Sequence, residues 1–190
     1  MKYFILVLAW VVYFFLHSFL AHDHVKEFFK KVMRSWYRFY RLVYSILSMA
    51  GLLGLLFLNG LISHDYLFSP AGVVRYISLA LTAGGVLVIR QAFRQYDLGK
   101  FIGFGDDSQE EFREEGVLRY VRHPIYSGTI LIVTGFFLFT PTVATAWSVV
   151  CVFAYLPVGI WLEERKLIKR YGSRYEEYKK RVPALLPRLF

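Results

Sequence analysis

The sequence predicts an all-α integral membrane protein with five transmembrane helices, the last two forming a tight hairpin. Three observations lead there. Apolar residues make up 56% of the chain, above the roughly 45–50% of soluble domains. The apolar residues gather in runs as long as a bilayer crossing requires, about 20 residues. The net charge of +9 comes from basic residues packed between those runs rather than spread along them. A nucleic-acid partner would need a basic face on a soluble fold, which this pattern does not offer.

The first run covers 3–20. Its only preceding charge is Lys2, and no small-residue cleavage site follows before His22, Asp23 and His24. It reads as a retained span rather than a signal peptide. The second and third runs cover 42–62 and 73–89. The fourth apolar stretch, Ile125 to Leu162, contains no Asp, Glu, Lys or Arg and is long enough for two spans. Thr140-Pro141-Thr142 lies near its middle, and proline cannot continue a helical hydrogen-bond ladder. The stretch therefore divides into spans at 125–140 and 143–162. The former is short enough to thin the bilayer or to begin outside it. The chain shows no internal repeats and no low-complexity stretch, so 1–190 is read as a single domain.

Of the 23 basic residues, all but Lys2 and Arg75 fall in three segments: 22–41, 90–124 and 163–190. These alternate with connections that carry no Lys or Arg. The positive-inside rule makes the three basic segments cytoplasmic. The N-terminus is then outside and the C-terminus inside, with the inner membrane of a prokaryote as the expected location. The hairpin brings the His123 end and the Glu163 end to the same membrane face, so polar chemistry is expected there.

Several residues could carry that chemistry. Arg119-Tyr120-Val121-Arg122-His123-Pro124-Ile125-Tyr126-Ser127-Gly128 places Arg, His and Tyr at the mouth of the hairpin. Pro124 suits a first helical turn. His123 could present its ring, or nearby backbone N–H groups, to an anion, or the stretch could serve as an interfacial belt. Glu163-Glu164 stands at the end of the last span. Adjacent residues lie about 100° apart around a helix, so one can face inward, toward an ammonium or sulfonium, or both can pair with Arg165, Lys166 or Arg170. Tyr171, Tyr175 and Tyr178 share one face of an amphipathic tail and read chiefly as packing. His17-Ser18 reads as an interhelical hydrogen-bonding pair. His22-x-His24 lacks a third ligand, so no metal site is expected. Cys151, the single cysteine, reads as a small core residue. Phe101-Ile102-Gly103-Phe104-Gly105 lacks the strand–helix context of a dinucleotide motif. Asp106 to Glu111 is an acidic run that suits a solvated loop or a cationic ligand.

Arg122-His123-Pro124-x-Tyr126-x-Gly128, then Glu163-Glu164-x-x-Leu167, then Tyr171-Gly172-x-x-Tyr175-x-x-Tyr178-x-x-x-Val182-Pro183 together resemble the isoprenylcysteine carboxyl methyltransferase and phospholipid methyltransferase superfamily of integral membrane enzymes. The resemblance covers 95–187. Leu16-His17-Ser18 and Tyr96-Asp97-Leu98-Gly99 look more like its bacterial NnrU-like and thiol methyltransferase branches. It implies an S-adenosyl-L-methionine cofactor in a cytoplasm-facing pocket built from the third loop, the hairpin and the C-terminal amphipathic helix. His123, Pro124, Ile125 and Tyr126 match the family's cofactor-binding stretch, and Glu163 its cofactor-contacting glutamate. Phe112 and Arg113 stand where the family usually has a Leu-Val pair lining the adenine, and Leu118 where it often has Tyr. Gly159 stands where the prenylcysteine enzyme has an arginine suited to a substrate carboxylate. That departure shifts the expected acceptor from an isoprenoid-type carboxylate toward a small thiol or a lipid amine. No general base is identifiable. An NADPH-dependent reductase of the sterol-reductase type and a non-enzymatic protein retaining the fold are the rival readings.

Overall fold

The computed structural model describes residues 1–94 and 112–188, and the described residues are almost entirely helical. Helix α1 runs Lys2–Ala21, α2 Asp23–Met33, α3 Tyr40–Ile62, α4 Val73–Phe93, α5 Pro124–Phe139, α6 Val143–Tyr171 and α7 Ser173–Arg181, with short 3-10 turns at Arg34–Phe39 and Gly116–Arg119. Four of these elements are long and apolar enough to cross a membrane; α5, with 16 residues, is shorter. At 1.5 Å per residue α5 is about 24 Å long, less than a hydrocarbon core of about 30 Å. The chain is an integral membrane protein. Large apolar side chains such as Phe4, Phe15, Leu53, Phe57 and Leu87 point outward from the bundle, as lipid-facing residues should.

The core joins α1, α3 and α6 through Leu6, Trp10, Leu55, Ala144, Val152 and Leu156. Phe14 of α1 stacks on Tyr155 of α6 with ring centroids 4.0 Å apart. A buried polar chain crosses the same three helices. Trp10 Nε1 donates to Ser148 Oγ at 2.9 Å, Ser148 Oγ donates to Asn59 Oδ1 at 2.9 Å, and Asn59 Nδ2 donates to Thr145 Oγ1 at 3.2 Å. In a medium without water such bonds fix which helix faces meet. Closer to the opposite end, Ser18 and Tyr155 share a hydrogen bond at 2.8 Å, and His17 meets Tyr44 and Ser48. The polar pair on the first span is thus satisfied between helices.

Helices α4 and α5 pack through small residues. A Cβ placed on Gly85 would lie 2.6 Å from the carbonyl oxygen of Gly128. One placed on Gly135 would lie 2.7 Å from that of Ser78. Small side chains at about helical spacing let two backbones touch, which replaces the hydrophobic drive that lipid removes. The turn between α5 and α6 falls at Thr140–Thr142, where the sequence placed it, and Thr142 Oγ1 caps α6 by accepting from Thr145 N. The connection after α3 pairs with this turn: Leu67 N donates to Pro141 O at 2.8 Å and Val143 N to Asp65 O at 2.9 Å.

Helix α6 has 29 residues, about 43 Å at the helical rise. It outruns the apolar stretch, and its last turns carry Glu163 and Glu164 beyond it. Gly172, with φ of +57°, ends α6 and lets α7 turn away. This positive φ is costly for residues with a Cβ.

Candidate active site

The start of α5 is held from behind. His123 precedes the helix and Pro124 occupies its first turn, where a missing N–H costs nothing. The N–H groups of Arg122 and His123 donate to the carbonyls of Pro183 (2.9 Å) and Ala184 (3.0 Å), and Ser127 Oγ donates to Leu185 O at 2.6 Å. A strap of three residues beyond α7 therefore fixes the orientation of the motif.

Glu164 is the buried member of the acidic pair, 7% exposed. Its Oε1 accepts from Arg122 Nη2 at 2.8 Å and Nε at 3.2 Å, and lies 3.2 Å from His123 Nε2; its Oε2 lies 2.5 Å from Lys179 Nζ. Arg122 uses its remaining terminal nitrogen on the carbonyls of Lys179 (2.8 Å) and Val182 (2.5 Å). One carboxylate thus ties together the α5 motif, the end of α6 and α7. Such a pair is tolerated out of water because nearly every donor and acceptor is used.

The same geometry sets the histidine tautomer. A carboxylate flanked by Arg122 and Lys179 is ionised and can only accept, so Nε2 of a neutral His123 carries the proton. In that neutral form Nδ1 keeps its lone pair. It is buried and has no hydrogen-bond partner among the described residues. The nearest acidic oxygen, Glu163 Oε2, stands 3.7 Å away, beyond hydrogen-bonding reach. The Glu163 side chain is 43% exposed and forms the outer rim. The Tyr126 ring meets His123 edge-on at 5.6 Å. Its hydroxyl lies 3.0 Å from where a Cβ on Gly159 would sit, so a larger residue there would press on the Tyr126 ring.

Behind Glu164, α7 presents Tyr175 and Tyr178 to the interior. Tyr178 donates to Leu118 O at 2.6 Å. The Tyr175 hydroxyl is buried without a partner among the described residues. Burial first, and the nearby Glu164 charge second, push its ionisation above the usual tyrosine range.

Of the residues singled out in the sequence, His123, Pro124, Ile125, Tyr126 and Glu163 lie together at the α5–α6 corner. Phe112, Arg113 and Leu118 lie on the far side of the α7 tyrosines. The Phe112 ring packs among Tyr171, Tyr175 and Tyr178, with Arg174 over its face at 5.2 Å. Arg113 lines a separate polar cleft of about 660 Å³ with Glu114, Arg119 and Arg181. The tyrosine face does pack, as its spacing suggested. Tyr96–Gly99, the Phe101–Gly105 stretch and the acidic run 106–111 lie outside the described residues. Lys179 was not singled out in the sequence; Arg122 and Glu164 were candidates without assigned partners, and Tyr175 was read as packing. The adjacent glutamates signalled that one would be inward, but only the turn of α6 decides which.

An all-helical membrane bundle with an Arg-His-Pro corner facing a paired glutamate defines a class of membrane-embedded protein. A family model for phospholipid methyltransferases matches residues 73–174, more than half of the chain, and the chain belongs to that family. It is 36% identical to methanethiol S-methyltransferase 2 of Bradyrhizobium diazoefficiens over 85 residues, 44% of this chain and 31% of that one. It is 37% identical to a methanethiol S-methyltransferase of Crocosphaera subtropica over 79 residues, 40% of this chain and 29% of that one. Protein-S-isoprenylcysteine O-methyltransferase B of Arabidopsis thaliana is 39% identical over 75 residues, 38% of each. The matches thus span about a third of the length of these relatives. No solved structure matches the chain.

Proposed function

We propose that the protein is a membrane methyltransferase that uses S-adenosyl-L-methionine and methylates a small thiol or another membrane-soluble nucleophile. The observation that carries this reading is the corner where His123 and Glu163 meet beside Gly159. The residues fit the cofactor. Glu163 is a half-exposed carboxylate on the rim, 3.7 Å from His123 Nδ1, so it is available to an ammonium or sulfonium. His123, Pro124, Ile125 and Tyr126 would line the same recess, whereas Phe112 and Leu118 contact the α7 tyrosines and Arg113 lines the separate cleft beside them. When bound, the cofactor supplies a methyl group already activated on a sulfonium. The chain's part is then to align the acceptor and exclude water.

The acceptor follows from what Gly159 lacks. Gly159 supplies no cation to receive a substrate carboxylate, and the Tyr126 hydroxyl stands 3.0 Å from where its Cβ would be. An apolar groove of about 500 Å³, lined by Ile130, Phe153, Leu156, Trp161 and Leu185, reaches Glu164. It suits an acceptor arriving from lipid. The three basic segments support a cytoplasmic side for the site through the positive-inside rule.

Titration of the detergent-purified protein with S-adenosylhomocysteine tests the cofactor. Binding is expected, weakened at least tenfold in Glu163→Ala. Folded protein that binds none, or a variant that binds as tightly, would overturn it. Stabilisation by NADPH instead would favour a reductase. Transfer of labelled methyl to a panel of thiols and lipid amines identifies the acceptor.

A further inference from the structure

We propose that His123 Nδ1 is the proton acceptor for a thiol substrate and that Glu164 is the residue that poises it. This rests on the methyltransferase reading above and supplies the base that the sequence does not reveal. Three observations carry it. His123 is 2% exposed, and its Nδ1 has no hydrogen-bond partner among the described residues. An unpaired buried nitrogen costs free energy, so it marks a place where a partner arrives. The opposite nitrogen lies 3.2 Å from Glu164 Oε1, which fixes the tautomer with its lone pair on Nδ1. Arg122 and Lys179 hold that carboxylate at 2.8 and 2.5 Å, so it orients the ring without taking the proton itself. A carboxylate holding one imidazole nitrogen while the other accepts a proton is a recurring arrangement for activating a nucleophile.

The step balances as follows. The S–H bond of the acceptor breaks, and its proton bonds to Nδ1. The sulfur keeps the electron pair and forms a bond to the methyl carbon. The carbon–sulfonium bond breaks, and its pair remains on the sulfur of S-adenosylhomocysteine. The imidazolium left behind lies between Glu164 at 3.2 Å and Glu163 at 3.7 Å. Two carboxylates stabilise that cation, and the exposed Glu163 offers the proton a path to water. Tyr126 closes the ring's other edge.

Two measurements test the proposal. The first is ¹⁵N NMR of histidine-labelled protein in micelles without ligand, with the His123 signals identified by their loss in His123→Gln. A neutral ring with protonated Nε2 and bare Nδ1 is expected, and Glu164→Gln should mix the tautomers. A proton on Nδ1 in the unsubstituted protein, or no change in Glu164→Gln, overturns the proposal.

The second compares methylation of ethanethiol with that of 4-nitrothiophenol, which is already ionised at neutral pH, at saturating S-adenosylmethionine. General-base assistance is worth roughly 10²–10⁴-fold. His123→Gln and Glu164→Gln should therefore lose at least about 100-fold on ethanethiol and less than about tenfold on the aryl thiol. Equal losses on both thiols overturn the base and leave the methyltransferase reading standing. If the unsubstituted protein binds S-adenosylhomocysteine but methylates neither thiol, the thiol acceptor and its base fall together.

Discussion

Gly84 and Gly85 are neighbours on α4, yet replacing each with alanine should change stability by different amounts. Alanine gains about 0.8–1.0 kcal/mol over glycine in a helix interior, and that gain is common to both positions. At Gly84 the new Cβ meets nothing within 4 Å. At Gly85 it lies 2.6 Å from Gly128 O, 2.7 Å from Ile132 Cγ1 and 3.0 Å from Ile132 N. Ordinary C···O contacts are about 3.3–3.6 Å, and two of these three atoms belong to backbone, which cannot rotate aside. The helices must separate, at the roughly 1–3 kcal/mol that overpacking costs. Gly84→Ala should thus be about 1 kcal/mol more stable than the parent, and Gly85→Ala lower than Gly84→Ala by about 1–3 kcal/mol. For a chain this size that gap is about 2–12 °C in melting temperature. Thermal unfolding of both variants in one detergent, followed by circular dichroism, makes the comparison. Equal melting temperatures, or a higher one for Gly85→Ala, would refute backbone contact between α4 and α5.

The other predictions concern the charged corner, the buried polar chain and the loop after α3. Glu164→Ala strands Arg122 in a setting where both side chains are 9% exposed; it should cost about 3–5 kcal/mol. Lys179→Ala, at a 44% exposed side chain, should cost about 1 kcal/mol or less, and denaturant melts that fail to separate the two would contradict the geometry. Asn59→Leu removes three side-chain bonds, to Ser63, Thr145 and Ser148, and should destabilise by about 1–2 kcal/mol in the same melts. Asp65 accepts from Tyr3 and, at 2.9 Å, from Lys2. The Tyr3 hydrogen bond first and Lys2 second hold its carboxyl below the usual range. A lowered folded-state value means that its stabilisation is present above the unfolded value, near 3.9, and is lost as pH falls through the folded one. Melting temperatures of the parent and Asp65→Asn should therefore differ at pH 7 and converge in acid.

The helical class and the turn at Thr140–Thr142 were legible because hydropathy and proline act locally. The meeting of the His123 and Glu163 ends was legible too, since a hairpin of known span lengths allows little else. What escaped depends on rotation about helix axes. The sequence offers two adjacent glutamates, and only the packing of α6 on α7 buries Glu164 and leaves Glu163 on the rim. Arg122 could be an interfacial cation by composition; its role as a clamp appears once Lys179 O and Val182 O are beside it. The preference of α5 for α4 was written in Ser78, Thr82, Gly85, Gly128 and Gly135, but those positions stand out only when two faces are paired. Phe112 was assigned toward an adenine, and its ring is found among three tyrosines.

The strap that receives the N–H groups of Arg122 and His123 also has a consequence in time. Residues 183–185 follow the motif they hold by about 60 positions, so α5 is synthesised, and can enter the membrane, before its own cap exists. Until that later segment has been made and docked, His123 lacks its backbone partner and Glu164 lacks Lys179. The corner cannot take up its final arrangement in a nascent chain that has delivered only the hairpin. Assembly of the bundle and maturation of the site are therefore separable events. A chain stopped short of Pro183 should insert its helices while leaving the corner unformed.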